Sequence, residues 1–95
     1  MTVRKKDLVA RAARRSRLTK AQTRQALDAL LNVIAETLAA GDTVVLGGFG
    51  RFETQLYPER KLRRFDGDGH YKVQSRPIPV FKPSVALRRR VRQKQ

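Results

Sequence analysis

Residues 41–52 read Gly41-Asp42-Thr43-Val44-Val45-Leu46-Gly47-Gly48-Phe49-Gly50-Arg51-Phe52, and the chain changes period inside them. Before this stretch apolar residues recur every three to four positions, the spacing of a helix face; after it they tend to alternate, as in a strand. Gly41 reads as the residue just past a helix end, with Asp42 entering a turn. Thr43 to Leu46 is β-branched and strand-like. Gly47-Gly48-Phe49-Gly50 breaks that strand with a tight turn. A second strand is then expected from Arg51 to Leu62, with Phe52, Thr54 and Leu56 on one face. Helices first and strands afterwards make an α+β fold.

Upstream, a helix is expected over Lys5–Ser16. Leu8, Val9, Ala12 and Ala13 share one face and Arg4, Asp7, Arg11 and Arg14 the other, which is ordinary amphipathicity. Thr19-Lys20-Ala21-Gln22 matches a capping box, in which Thr19 and Gln22 each bond the other's backbone N–H. A long helix follows from Lys20 to about Ala40. Leu27, Leu30, Leu31, Ile34 and Leu38 form its apolar stripe, and Ala26, Ala29 and Val33 widen it. One short helix cannot cover so broad a surface, so a partner subunit is expected.

Downstream, Pro58 removes a ladder donor, which suits an edge strand or a free arm. Arg60-Lys61-Leu62-Arg63-Arg64-Phe65-Asp66-Gly67-Asp68-Gly69 reads as a basic hairpin tip, because Asp-Gly pairs favour the turn. His70 to Gln74 returns as a strand. Arg76 to Phe81 carries two prolines, the mark of an edge rather than a central strand. Ser84 is a good N-cap for a short last helix, Val85 to Arg92. Leu87 and Val91 anchor that helix, with Arg88, Arg89, Arg90 and Arg92 around them.

Composition narrows the function. Ninety-five residues make one domain, and 22 Lys and Arg against 8 Asp and Glu give a net charge of +14. Solubility needs a net charge of only about 2–8, so the surplus points to a polyanionic partner. It is uneven: residues 1–45 hold nine cations and four anions, residues 46–95 thirteen and four. The absence of Cys excludes disulfides and thiolate metal sites and suits a reducing compartment. No apolar run reaches the length of a membrane span, and the basic N-terminus has no apolar stretch for a signal peptide. The expected location is inside the cell.

The chain offers little for catalysis. His70 is the one histidine, near the hairpin tip with Asp66 and Asp68, and it has no positioned partner. Ser16, Ser75 and Ser84 lack a nearby histidine–acid pair, and Gly47–Gly50 has neither P-loop spacing nor a βαβ setting. No enzyme, cofactor, metal or small-molecule substrate is expected. Phosphate contacts are better provided for. Gly48 and Gly50 would let backbone N–H groups approach a phosphate, or they simply serve the turn. Phe49 and Phe52, at the root of the strands, are expected in the core.

Taken together, the element order resembles the HU/integration host factor family of bacterial architectural DNA-binding proteins. The resemblance covers essentially the whole chain. It is carried by Leu18-Thr19-Lys20-Ala21-Gln22, Gly41-Asp42, Gly48-Phe49-Gly50-Arg51-Phe52, Glu59-Arg60, Pro79-Val80-Phe81-Lys82-Pro83 and Leu87. It implies an intertwined dimer: residues 1–42 as helical dimerisation region, 43–81 as a β-saddle with an arm over about 53–76, and 84–95 as C-terminal helix and tail. The two arms would wrap the DNA minor groove. Matching positions are Lys5 on the first helix, Gly48 and Gly50 at the turn, Arg60 and Arg63 on the arm, Lys72 on its return strand and Arg88 on the last helix. Arg51, Lys61, Arg64, Arg76 and Lys82 join them as candidate DNA contacts, with Phe65 as candidate wedge.

The arm tip departs from the family pattern. The family carries Gly-Arg-Asn-Pro-x-Thr-Gly there, with proline as the wedge; residues 62–68 keep only Arg63, and Phe65 takes the proline position. Tyr57 replaces a usually charged arm position. Three readings stay open for Phe65: a wedge that intercalates, a ring packed on Leu62 or Tyr71 that stiffens the arm, or a contact for another protein. The expected function is binding, wrapping and bending of duplex DNA with low sequence specificity, by a homodimer or a heterodimer, in the cytoplasm at the nucleoid. The rivals are a sequence-selective bender like integration host factor, a basic RNA- or ribosome-associated protein, and an assembly protein whose arms grip a protein partner.

Overall fold

The computed structural model describes residues 1–57, 60–63, 70–73 and 75–93, with backbone alone at 60–63 and 70–73. Its elements run α1 (Lys5–Ser16), α2 (Lys20–Ala39), β1 (Val44–Leu46), β2 (Gly50–Tyr57), β3 (Arg60–Arg63), β4 (His70–Val73), β5 (Arg76–Pro83) and α3 (Val85–Gln93). They fall into a helical unit, Met1–Glu36, and a sheet unit, Thr37–Gln95.

Short-range hydrogen bonds set the helix ends. At α1 the Arg4 N–H donates to Asp7 Oδ2 at 3.1 Å, placing a carboxylate at the positive end of the helix. The helix stops at Arg17, which adopts left-handed φ of 63°. The capping box opens α2 as expected: Thr19 N–H donates to Gln22 Oε1 and Gln22 N–H to Thr19 Oγ1, both at 3.0 Å. α2 closes with paired bonds, Gly41 N–H to Leu38 O at 3.0 Å and Asp42 N–H to Thr37 O at 3.1 Å. Gly41 sits at φ +85°, where a Cβ is disfavoured.

The core of the helical unit is small. Val9, Ala13 and Thr23 are buried, and the Thr23 hydroxyl is satisfied by Thr19 O at 2.9 Å. Leu27 and Ile34 are half-buried, while Leu30 and Val33 are 61% and 58% exposed. The apolar stripe that defines α2 is therefore largely open.

In the sheet unit the strand order is β1-β2-β5, antiparallel throughout, and β3 pairs separately with β4. Where a single strand was expected over 51–62, β2 ends at Tyr57 and β3 begins at Arg60; Pro58 and Glu59 lie outside the described residues. β5 is an edge strand, as its prolines require. Pro77, Pro79 and Pro83 occupy alternate positions, so the donors facing β2 are Ile78, Val80 and Lys82. The open side is left with few N–H groups on which another strand could pair.

Alternation separates chemistry on the two faces of this sheet. One face carries Phe52 opposite Phe81, with ring centroids 4.8 Å apart, and Phe49 adds a second ring at 5.5 Å from Phe81. Thr54, on that face, donates to Leu38 O at 2.7 Å and ties the last turn of α2 to β2. The other face carries Arg51, Glu53, Gln55 and Tyr57, opposite Lys82, Val80, Ile78 and Arg76.

Candidate nucleic-acid interface

The turn between β1 and β2 organises one end of the sheet unit. Phe49 N–H donates to Leu46 O at 3.0 Å, and Gly48 takes φ +78° at the third turn position, which calls for glycine. Phe49 O in turn accepts from Ser84 N–H at 2.9 Å, fixing the start of α3 against the turn. Ser84 is the N-cap expected: its Oγ accepts from Leu87 N–H at 3.1 Å. Arg88, on the first turn of α3, is thereby held beside the glycines.

These elements enclose a cleft of about 350 Å³, lined by Gly47, Gly48 and Gly50 together with Arg51, Lys82, Ser84 and Arg88. Three cations and a side-chain-free backbone stretch face one concavity, an arrangement suited to a phosphate. Five of the candidate contact residues, Gly48, Gly50, Arg51, Lys82 and Arg88, meet here. Gly50 also has a packing reason to be glycine. It is buried, and a Cβ built on it would lie 2.7 Å from Lys82 O and 2.7 Å from the Phe81 ring.

Arg51 and Lys82 stand directly opposite each other across β2 and β5, a like-charge pairing that opposes strand association. Glu53 bridges them: Lys82 Nζ lies 2.7 Å from Glu53 Oε1, and Arg51 Nε 3.6 Å from Glu53 Oε2. Gln55 Nε2 donates to Glu53 Oε1 at 2.9 Å. The Lys82 hydrogen bond, followed by that of Gln55, holds the Glu53 carboxyl below its ordinary pKa. Glu53 was not among the residues picked from sequence. The signal was the alternation Arg51-x-Glu53-x-Gln55, which places all three on one strand face, but Lys82 joins them only once the register is known.

Further along the same face Arg76 lies over the Tyr57 ring, its Cζ 5.3 Å from the centroid, at the last β2–β5 pair. Lys5 belongs to the helical unit and is ion-paired with Asp28. The groove between α1 and α2 mixes Lys6, Lys20 and Arg24 with Asp7 and Asp28, so it offers no surface of a single sign. The backbone of Arg60, Lys61 and Arg63 is paired in β3 and that of Lys72 in β4, with Leu62 opposite Tyr71. Arg64 and Phe65 lie outside the described residues, as does the tip that bears the three readings of Phe65. Among the described residues no group of three His, Cys, Asp or Glu side chains could hold a metal ion, and no helix is long and apolar enough to cross a membrane.

Comparison with known proteins gives one answer. DNA-binding protein HU of Streptococcus mutans is 36% identical over 84 residues, covering 88% of this chain and 92% of that protein. DNA-binding protein HU of Thermotoga maritima is 34% identical over 88 residues, covering 93% and 98%. Among solved structures, Anabaena HU in a cocrystal with DNA superposes with a TM-score of 0.85 at 30% identity, over 94% of this chain and 97% of that one. The α+β fold is thus that of HU. The family described as bacterial DNA-binding protein matches residues 3–92, and the chain belongs to it.

Proposed function

We propose that this chain is an architectural DNA-binding protein that binds, wraps and bends duplex DNA with low sequence specificity, as a dimer, at the nucleoid in the cytoplasm. The observation that carries the reading is the glycine-lined cleft on which Arg51, Lys82 and Arg88 converge, in a chain of the HU family with net charge +14. Such a cleft recognises a phosphate without reading a base, which supports affinity more than sequence selectivity. Arg60, Lys61, Arg63, Arg64 and Lys72 would extend the contact along the arm, and Arg76, held on Tyr57, would begin it. Lys5 would add a contact from the helical unit. Phe65, in the place of the family's proline, is assigned as the wedge that kinks the duplex.

The dimer is supported by the exposed stripe of α2. Leu30 and Leu31 on a helix with so small a core call for an apolar cover, and a second copy supplies one of matching chemistry.

Binding to a short duplex, followed against salt, tests the function. If roughly 6–10 phosphates are neutralised, affinity falls by about 10³–10⁵ between 50 and 200 mM salt. A nearly flat dependence overturns the proposal. Energy transfer across the same duplex tests the wedge: Phe65→Ala should reduce the bend while leaving most of the affinity, and an unchanged bend removes that role.

A further inference from the structure

We infer that Glu53 is a built-in rival of the DNA phosphate, holding Arg51 and Lys82 in place in the free protein and opposing, by its own charge, the phosphate that comes to share them. The inference rests on the DNA-binding reading above and adds to it a residue that lowers affinity. Its basis is the geometry of the β2–β5 pair. Arg51 and Lys82 face each other in register, so something must offset their repulsion, and Glu53 does so from the same sheet face.

The three side chains divide their surroundings unevenly. Arg51 and Lys82 line the cleft, and their side chains stay 51% and 44% exposed; Glu53 is the inner member at 20%. A lysine ammonium has three donors and a guanidinium five. One contact each with Glu53 therefore leaves donors free to meet a phosphate on the cleft side. The carboxylate then stays behind the two cations when DNA arrives, charged, close and of the same sign as the phosphate. A glutamate is ionised at neutral pH in any case, and the hydrogen bonds from Lys82 and Gln55 move its pKa further below that range.

The sign of the effect follows from replacing Glu53 with glutamine. Glu53→Gln keeps an oxygen that accepts from Lys82, so placement is largely preserved. It removes the anion that repels phosphate, and it leaves the Arg51–Lys82 repulsion to be relieved only by a phosphate. Both changes favour the complex. The cluster goes from one net positive charge to two, so the slope of log affinity against log salt should steepen by up to about 0.9, one phosphate equivalent. At low salt affinity should rise roughly two- to five-fold, the scale of one exposed ion pair. The free protein should meanwhile be less stable, which a purely structural role also predicts, but a purely structural role does not predict tighter binding.

The test compares the unaltered protein, Glu53→Gln and Glu36→Gln on one short duplex across a salt series. Glu36 lies on α2 outside this network, so its variant adds the same unit of net charge without touching the cleft. Tighter binding and a steeper slope for Glu53→Gln beyond those of Glu36→Gln are the expected result. Equal behaviour of the two variants, or weaker binding by Glu53→Gln, overturns the inference. In the unaltered protein the ¹³C signal of the Glu53 carboxyl should titrate at higher pH with duplex bound than without, because Lys82 and Arg51 are then shared with phosphate. An unchanged titration also overturns the inference, even if the variant fails to fold. Loss of salt-dependent binding by the unaltered protein is a different failure, that of the DNA-binding reading itself.

Discussion

The helical unit and the sheet unit both leave large apolar side chains open, but they differ in what stands beside them. In Met1–Glu36 the conspicuous exposure is apolar: Leu8, Leu18, Leu30, Leu31 and Val33 are open while Val9 and Ala13 alone form the buried apolar core. Thr37–Gln95 leaves apolar groups open too, but its distinctive feature is a sheet face and cleft carrying Arg51, Lys82 and Arg88. The proposed dimer would cover the first surface with a copy of the chain, and a DNA phosphate would meet the second. Removing a charge from the second should leave the first intact.

The largest effect should come from placing a charge on the apolar surface. Leu30→Glu would bury an unpaired carboxylate in the proposed dimer interface, at a cost of several kcal/mol. The expected outcome is a halved mass in sedimentation and loss of the cooperative thermal transition. Arg89→Gln, on α3 of the sheet unit, should leave the mass unchanged. If Leu30→Glu retains the mass of the unaltered protein, α2 is not the interface and the comparison between the units collapses.

Sequence revealed these two regions unequally. Helix ends rest on partners within five residues, so Thr19 with Gln22, Gly41 with Leu38, and Ser84 with Leu87 could all be read directly. The breadth of apolar surface on α2 was equally plain from spacing. The sheet was legible as strands but not as pairings. Gly50 looked like a turn glycine or a phosphate approach, whereas its Cβ position is also filled by Phe81 and Lys82, more than thirty positions away. Glu53 did not stand out at all, because its cation Lys82 arrives only through the β2–β5 register. Local hydrogen bonds can be read along the chain; cross-strand neighbours depend on a register that no short window contains.

Two glycines of the sheet unit sharpen that point. At Gly50 an added methyl meets backbone and ring at 2.7 Å, so Gly50→Ala should destabilise by about 1–3 kcal/mol through overpacking. At Gly48 nothing lies within 4 Å of the same methyl, yet φ is +78°, so Gly48→Ala should cost about 1–2 kcal/mol through backbone strain alone. Urea unfolding measures both, and asparagine separates them. Asn tolerates left-handed φ and should recover part of the loss at position 48 but none at 50. Recovery at both would mean that Gly50 is a turn residue after all.

Matched helix caps give a smaller effect that should be equal in the two units. Thr19→Ala removes the acceptor for Gln22 N–H, and Ser84→Ala removes that for Leu87 N–H, each worth about 1 kcal/mol. Beyond stability they should diverge. Ser84 also begins the helix that holds Arg88 in the cleft, so Ser84→Ala should weaken duplex binding while Thr19→Ala leaves it unchanged. Equal loss of binding would place a DNA contact at the start of α2 and blur the division of labour between the units.

The smallest effect lies at Arg17, the one described non-glycine residue with left-handed φ, at the end of α1. A side chain there costs about 1–2 kcal/mol in backbone strain. Glycine would relieve it but lose about 0.5–1 kcal/mol through the greater freedom of the unfolded chain. The removed cation also sits at a helix C-terminus, although Arg14 and Arg15 remain in the last turn. The balance for Arg17→Gly is a gain of about 0.5 kcal/mol, and Arg17→Ala, which keeps the strain and loses the charge, should show no gain. Because the strain is local to the helical unit, the gain should appear in thermal unfolding with little change in the salt slope of DNA binding. A change in that slope would show that Arg17 itself meets a phosphate and that its strained backbone serves to aim it.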